Sequence, residues 1–341
     1  MKRTHNLFTA LLMQVICVAG LHAQQLEKLH EGNQVSIRGM ALPNDSVAWV
    51  SGSKGSVALS VDSGKTWQWQ TIEGDEKLDF RSIAAFSDSV AVVVSAGSPA
   101  VILRTVDRGA SWTKVYEDDR DSIFFDGISF WDDSTGLAFG DPIGGLMQLL
   151  TTSDGGQTWS NISEEAAVKL LKGEAGFAAS GTGIRTLGDG SVWIGTGGSK
   201  ARLWYSYNYG RSWTPYNVPI EQGGNSQGIF SIAVTTDKKV IAVGGDYVND
   251  RNNNNVIQLS ANGSVWKAPR SRLSGYKSGV EVIGETQQVI ATGTSGTDFS
   301  TDDGETWKNI SDISLNVVRS SPSGNLVLLA GGDGKVYRLI F

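Results

Sequence analysis

Two guanidinium groups held side by side can grip a carboxylate or a phosphate, because the planar fork of N–H donors matches such anions bidentately. Arg38 and Arg81 are the residues placed to do this, since they occupy corresponding positions in neighbouring repeats of the chain. The equivalent places further along hold Asp126, the stretch Ser180–Thr182, Ser231 and Glu281. Adjoining turns add Lys54, Asp141, Lys200, Asp246 and Tyr247. Such uneven chemistry at equivalent positions of a repeat protein marks a candidate ligand or partner site: Arg38, Arg81, Asp126, Asp141, Ser180, Asp246 and Tyr247. The plainer alternative is that the two arginines pair with Asp126 and Asp141 and only keep a channel wall satisfied. Other chemistries lack residues. Of the three histidines, His5 and His22 fall in the leader and His30 stands alone, which excludes a histidine-rich metal site or a Ser-His-Asp triad. No metal and no cofactor is expected.

The elements that must position these residues are set by one recurrent stretch. Thr152–Trp159 reads TSDGGQTW, and the same pattern returns as SVDSGKTW (Ser60–Trp67), TVDRGASW (Thr105–Trp112) and STDDGETW (Ser300–Trp307). SYNYGRSW (Ser206–Trp213) carries Asn208 in the Asp place, and SANGSVW (Ser260–Trp266) is one residue short and carries Asn262. The closing tryptophans recur every 41 to 54 residues, a period that marks a propeller or another repeat array. An Asp or Asn in a turn accepts hydrogen bonds from backbone N–H groups further on, and the glycine two residues later supplies the positive φ of a tight hairpin. The Trp then enters the next strand as an apolar anchor, worth roughly 1.5–3 kcal/mol or more when buried. Asp62, Trp67, Asp107, Trp112, Asp154, Trp159, Asn208, Trp213, Asn262, Trp266, Asp302 and Trp307 are therefore read as structural: they recur in every such unit, whereas a catalytic site is built once.

Each repeat reads as four short strands, as in Phe80–Phe86, Val90–Ser95, Ala100–Thr105 and Ser111–Tyr116. The second strands align seven times, ending with Leu326–Ala330, and predict seven blades, with six as the alternative. The last unit stops at Phe341 after its third strand, and Leu26–His30 is placed to supply the fourth, so that both chain ends share one blade and no sheet edge is left open. The fold class is all-β: a seven-bladed propeller of four-stranded antiparallel blades over residues 24–341, closed by N- and C-terminal strands. Abundant Gly (42) and scarce Pro (7) fit many strands joined by tight turns. Strands alternate in direction, so the Asp-boxes share one face of the disc with the first turn of each blade, and the candidate site falls on the other. Ser163–Lys172 predicts a short helix capped by Ser163, and Asp246–Asn255 a polar loop in the fifth blade.

Residues 1–23 read as a signal peptide, with Lys2 and Arg3 ahead of the mostly apolar run Leu7–Val18 and a cleavage site after Ala23. The apolar part is too short to span a membrane, and no later segment approaches that length. The protein is expected to be exported, to the periplasm or beyond the cell. Cys17 lies inside the leader, so the mature chain has no disulfide and no thiol chemistry. It keeps 27 Lys and Arg against 35 Asp and Glu, about −8, which disfavours nucleic acid as a partner.

The repeats resemble the Asp-box (BNR) repeats of sialidase-type propellers. The stretches SIRGM (Ser36–Met40), DFRSI (Asp79–Ile83), FDGISFWDDSTGLAFGDP (Phe125–Pro142), GEAGFAASGTG (Gly173–Gly183), GTGG (Gly195–Gly198) and GIFSIAV…AVGGDY (Gly228–Tyr247) are more specific. They resemble the photosystem II stability/assembly factor family and its exported relatives outside photosynthesis. That resemblance implies a propeller that binds another protein through a basic patch, in the region of Arg38 and Arg81. The resemblance to sialidases implies instead a glycoside hydrolase or glycan binder, with three arginines on a substrate carboxylate, a Tyr–Glu pair and an Asp acid/base. Phe80-Arg81-Ser82-Ile83 matches the sialidase Phe-Arg-Ile-Pro motif only without its Pro, Arg185 or Arg319 has to serve as third arginine, and Tyr247 has no clear Glu partner. A protein partner is the leading expectation, and an anionic or glycan ligand the alternative.

Overall fold

The second strand of every repeat is apolar at consecutive positions, which suits a strand buried on both faces rather than one half-exposed. In the computed structural model, which describes residues 24–341, those strands lie between packed sheets. The signal-peptide expectation, with Cys17, concerns residues outside the described ones. Seven antiparallel sheets succeed one another around a central channel. Blade 1 comprises Ile37–Ala41, Ala48–Gly52, Ser56–Ser60 and Gln68–Thr71, and blade 2 comprises Asp79–Ala85, Ala91–Ala96, Ala100–Thr105 and Thr113–Asp118. Blade 3 runs through Phe125–Phe130, Gly136–Ile143, Leu146–Thr152 and Ser160–Asn161, and blade 4 through Ile184–Thr186, Val192–Gly195, Arg202–Ser206 and Thr214–Asn217. Blade 5 has Gln227–Val234, Val240–Asp246 and Ile257–Ser260, and blade 6 has Gly279–Val282, Val289–Gly293, Gly296–Ser300 and Lys308–Ser311. Blade 7 takes Val317–Ser320, Val327–Ala330 and Val336–Ile340 from the C-terminus and its outer strand, Gln25–His30, from the other end of the chain. The strands of a blade are called A to D from the channel outward.

Alternation along strand B builds the core. Ala91 and Val93 pack with Trp49, Leu59 and Phe80 toward blade 1, while Val92 and Val94 pack with Phe125, Ile128 and Leu150 toward blade 3. The last interface of the ring sets Val317, Leu328 and Val336 of blade 7 against Ile37, Met40 and Val50 of blade 1.

The Asp-boxes are closed within their own turns. Asp62 Oδ1 accepts from Thr66 N–H (2.9 Å) and its Oδ2 from Thr66 Oγ1 (2.6 Å), while Ser60 Oγ accepts from Gly64 N–H (2.9 Å). Asp107, Asp154 and Asp302 repeat this pattern, and Asn208 keeps it by donating Nδ2 to Ser212 Oγ (3.0 Å). Burial pushes the Asp154 carboxyl up, but donors from Thr158, Thr152 and Gln157 outweigh it and hold the group at about 2. In five blades the box also ties its face together, since a C–D turn N–H donates to the A–B turn (Ser63 to Ser46, Arg108 to Ser89, Gly155 to Ser134, Tyr209 to Gly190, Asp303 to Gln287).

Three details differ from the sequence expectations. Blade 5 has no strand D: beyond its shortened box only Lys267 pairs, with Leu259, and Pro269 has no N–H to extend the ladder. Its sheet instead gains two short inner strands, Glu174–Ala175 and Gly197–Gly198. The helix stops after one turn, Ser163–Ala166, because Ala167 takes a left-handed conformation (φ 49°). Ser163 is its first residue rather than its cap. Asn161 Oδ1 accepts the Ser163 N–H (2.9 Å), and Val168 and Leu170 then turn into the core between blades 3 and 4. The loop after Asp246 is as expected.

The tryptophans are unequal anchors. Trp307 is buried and donates Nε1 to Gly304 O (2.7 Å), whereas Trp159 is half-buried, lies edge-on to Phe130 (5.9 Å), and its Nε1 has no partner among the described residues. Trp307→Ala is expected to cost about 3–5 kcal/mol and Trp159→Ala about 1–3 kcal/mol, read as shifts in urea midpoint; equal costs would refute this ranking. Deleting Gln25–His30 should lower the midpoint and drive association through the bared edge of Val336–Ile340, visible by light scattering; a truncated chain that stays monomeric and equally stable would contradict closure by this strand.

Candidate functional site

Four A strands carry one extra residue against strand B at the same level of the channel. Ile37 pairs with Gly52 and Gly39 with Ser51, so Arg38 is left over. Arg81 is left over between Phe80 and Ser82, Asp126 between Phe125 and Gly127, and Phe230 between Ile229 and Ser231. Such a bulge bends the strand and re-aims its unpaired side chain. All four side chains line one cavity of about 540 Å³ at the mouth of the channel. It lies on the face away from the Asp-boxes, as the strand directions require. The fifth-blade member of the set is thus Phe230 and not Ser231. Ser231 is buried between blades, where its Oγ accepts Val280 N–H (2.9 Å), just as Ser82 Oγ accepts Ile128 N–H (3.1 Å).

The arginines and acids do not pair as the plain reading supposed. Arg81 Nε bonds Asp79 Oδ2 (2.7 Å), two residues back on its own strand. Arg38 donates Nη1 to Ala179 O (3.0 Å) and forms no ion pair among the described residues. Burial, and the charge of Arg81 next to it, push the Arg38 guanidinium below its ordinary range. Asp126 and Asp141 form a carboxyl pair of their own. Burial first, and then the Asp141 charge, raise Asp126 well above a normal carboxyl, although Arg81 opposes this. Asp141 is pushed by burial up to about 6, against the pull of the Gly176 N–H (2.9 Å) and of Asp126. Both acids therefore hold their protons more tightly than ordinary carboxyls do. Gly176 has to be glycine, since a Cβ there would lie 2.2 Å from Asp126 Oδ2.

The floor of the cavity is the segment 176–183, which crosses the channel. Ser180 lies under that floor: its Oγ donates to Ser278 O (2.6 Å) and touches Thr182 Oγ1 (2.5 Å), which in turn meets Ser231 Oγ (2.6 Å). Gly181, at φ 67°, passes Ser82 so closely that a Cβ would sit 2.6 Å from its Oγ. The walls are aromatic. Phe177 stacks on Phe230 (3.9 Å), and Tyr276 meets the same ring edge-on (4.8 Å). Tyr247 completes the rim and is 51 % exposed. Asp246 does not line the cavity; Val248 N–H and Gln227 Nε2 donate to it, at 2.9 and 3.2 Å. Of the sequence-derived site, then, Arg38, Arg81, Asp126, Asp141 and Tyr247 come together, while Ser180 and Asp246 serve as supports. Phe177, Phe230, Tyr276 and Asp79 were missed. The signal for Phe230 was available: Ile37-Arg38-Gly39-Met40, Phe80-Arg81-Ser82-Ile83, Phe125-Asp126-Gly127-Ile128 and Ile229-Phe230-Ser231-Ile232 all read apolar, variable, small, apolar.

A third arginine does not join the first two. Arg185 and Arg319 both bond Glu281 (3.0 and 3.3 Å), and neither lines the cavity. Among the described residues no cluster of three or more His, Cys, Asp or Glu could hold a metal ion, and no helix is long and apolar enough to cross a membrane.

Fold and repeat together define an Asp-box (BNR-repeat) seven-bladed propeller. It resembles the photosystem II assembly factor family: the family model described as "Photosynthesis system II assembly factor YCF48" matches residues 21–121, the stretch that holds Arg38 and Arg81. Solved structures of the same fold include "YCF48 bound to D1 peptide", at TM-score 0.66 and 17 % identity over 93 % of this chain and 97 % of that one. YCF48 from Cyanidioschyzon merolae follows at TM-score 0.63 and 15 % identity, over 92 % and 98 % of the two chains. The GH74 xyloglucanase from Xanthomonas campestris matches at TM-score 0.62 and 15 % identity, over 92 % of this chain and 53 % of the enzyme. No curated protein matches the chain.

The raised proton affinity of the two acids has a consequence for stability. Both carboxyls hold protons more tightly folded than unfolded, where an Asp titrates near 3.9. The folded state then binds the excess protons above about pH 4, so stability falls with rising pH from there through about 6 and beyond, until Asp126 itself ionises. Asp126→Asn keeps a donor for Asp141 and removes one of the titrating groups. Relative to wild type it should gain about 1–3 kcal/mol between pH 4 and pH 7, measured by urea unfolding at both values. Parallel pH profiles would show that the pair titrates normally.

Proposed function

We propose that this chain is an exported, protein-binding propeller of the assembly-factor type, and that its partner docks on the cavity face through Arg38 and Arg81. The observation that carries the reading is Arg38. A guanidinium that lines an open cavity, loses water, and has no carboxylate partner among the described residues is a ready counter-ion for a carboxylate brought by another molecule. Arg81 stands beside it, with Asp79 occupying only its Nε edge. The aromatic wall and the exposed Tyr247 at the rim suit a peptide segment rather than a free inorganic ion. The family match over this stretch, and a related fold solved with a peptide bound, support the same reading. Export rests on the leader-like composition of residues 1–23.

The hydrolase reading has less behind it. Asp126 is fully buried, with neither oxygen open to a substrate or a water, whereas both carboxyls of a glycosidase must reach the scissile bond. The arginines that a sialidase brings onto one carboxylate are divided here between the cavity and Glu281.

Native envelope and secreted fractions, passed over immobilised wild type and over the Arg38→Ala/Arg81→Ala double variant, test the proposal. A partner retained by wild type and lost from the double variant is expected, with a loss of affinity of about 10-fold or more on purified components and little change in melting temperature. Equal retention on both columns, or a double variant that unfolds, would make the arginines structural. Turnover of a glycoside by wild type and not by Asp126→Asn would move the assignment to hydrolysis.

A further inference from the structure

The cavity has a negative pole as well as a positive one. Asp126 is 1 % exposed and lines the cavity, and neither of its oxygens receives a hydrogen bond from an N–H or a hydroxyl of the described residues. Asp141, the other acid of the cavity, accepts the Gly176 N–H (2.9 Å). Above about 6, where Asp141 ionises, this end of the cavity carries negative charge, and among the described residues no cation bonds to either acid. The nearest, Arg81, is turned onto Asp79. A buried charge without a counter-charge is costly, so the pair calls for a cation rather than for a neutral hydroxyl. The rings of Phe177, Phe230, Tyr247 and Tyr276 share the cavity, and aromatic faces attract a desolvated ammonium. The remaining charged groups of the cavity are Arg38 and Arg81.

We propose that Asp126 and Asp141 form a second subsite that takes a primary ammonium, such as a partner's lysine side chain, while the arginines hold a carboxylate of the same segment. The proposal rests on the function above for where the partner docks, and adds that the recognised segment is bipolar. On binding, the ammonium donates to Asp141, the more open of the two acids, and replaces water there, with the buried Asp126 carboxyl behind it. The subsite strengthens as pH rises through the range in which Asp141 ionises, near 6. Anion binding at the arginines runs the other way, because ionised acids close by repel a second carboxylate.

Titration calorimetry on the protein separates the two poles. The probes are pentylamine, pentanoate, the ω-amino acids from 4-aminobutanoate to 6-aminohexanoate, and the matching ω-hydroxy acids. At pH 7.5 at least one amino acid should bind 10-fold or more tighter than its hydroxy counterpart. In Asp126→Asn and in Asp141→Asn that preference should collapse to parity, and at pH 5 it should shrink in wild type. Should Asp126→Asn fail to fold, Asp141→Asn, nearer the surface, carries the test. Amino and hydroxy acids of equal affinity, or a preference that survives both substitutions, would overturn the subsite and leave the arginine reading in place. Pentylamine bound through the acids with no carboxylate bound at all would keep the subsite and remove the arginine reading. No binding of any amine would overturn the subsite.

Discussion

A ring of sheets is stable only if its last blade meets its first. Each interface of this propeller is a layer of apolar side chains shared by two sheets, and every blade needs both neighbours to cover its two faces. Blade 7 takes three strands from the C-terminal stretch, and its outer place lies open to a fourth. The strand Gln25–His30 fills that place, pairing Leu26 with Leu339 and Lys28 with Tyr337, so that the covalent chain itself holds the two ends of the circle together. Everything on the channel axis depends on this closure. Arg38 belongs to the blade that follows the closing strand, yet it bonds Ala179 across the channel. An opened ring would separate the two.

Closure fixes where the A strands run, and the bulges decide what they present. In a regular strand, the residue at the place of Arg38, Arg81, Asp126 or Phe230 would pair with strand B and keep the alternation of the sheet. One surplus residue frees that side chain to point into the mouth of the channel, and the small residue that follows lets the next blade approach. The position is therefore released from packing. It can hold a cation in two blades, an acid in a third and an aromatic ring in a fourth without disturbing the fold. That freedom is what allows one repeat to build a chemically uneven site.

The fold was largely legible because its determinants are local. An Asp, a Gly and a Trp at fixed spacing close a turn inside a few residues, as the bonds from Thr66 to Asp62 and from Thr158 to Asp154 show, and local rules survive in any context. The departures lay where tertiary contacts overrule them. The stretch after Ser163 has helical composition, yet Ala167 breaks it so that Val168 and Leu170 can reach the core. Arg38 and Arg81 were legible as a matched pair, whereas Asp79, two residues from Arg81, gave no sign that it would take the Nε edge. Lys277 was invisible to periodicity. It is buried beside Asp298 (2.8 Å), with Ser274 Oγ, Ser295 Oγ and Gly296 O as further acceptors, in a turn whose polar sequence reads as surface. Phe177 and Tyr276 lie on connections between blades, where alignment of the repeats carries no information.

The charges of the cavity are kept apart by particular short contacts. Had Arg81 reached Asp126, the pair would have neutralised itself and left Arg38 alone. Asp79 prevents this by binding Arg81 from its own strand, and Gly176 prevents the reverse by bringing a backbone N–H, but no side chain, against the two acids. Burial, and then the Asp141 charge, raise the proton affinity of Asp126 well above that of an ordinary carboxyl. The two arginines and the two acids thus line one cavity without an ion pair between them among the described residues, on walls that are otherwise largely aromatic. An arrangement that served stability alone would have let them meet. Their separation is the physical ground on which the proposed docking of another molecule at this mouth of the channel rests.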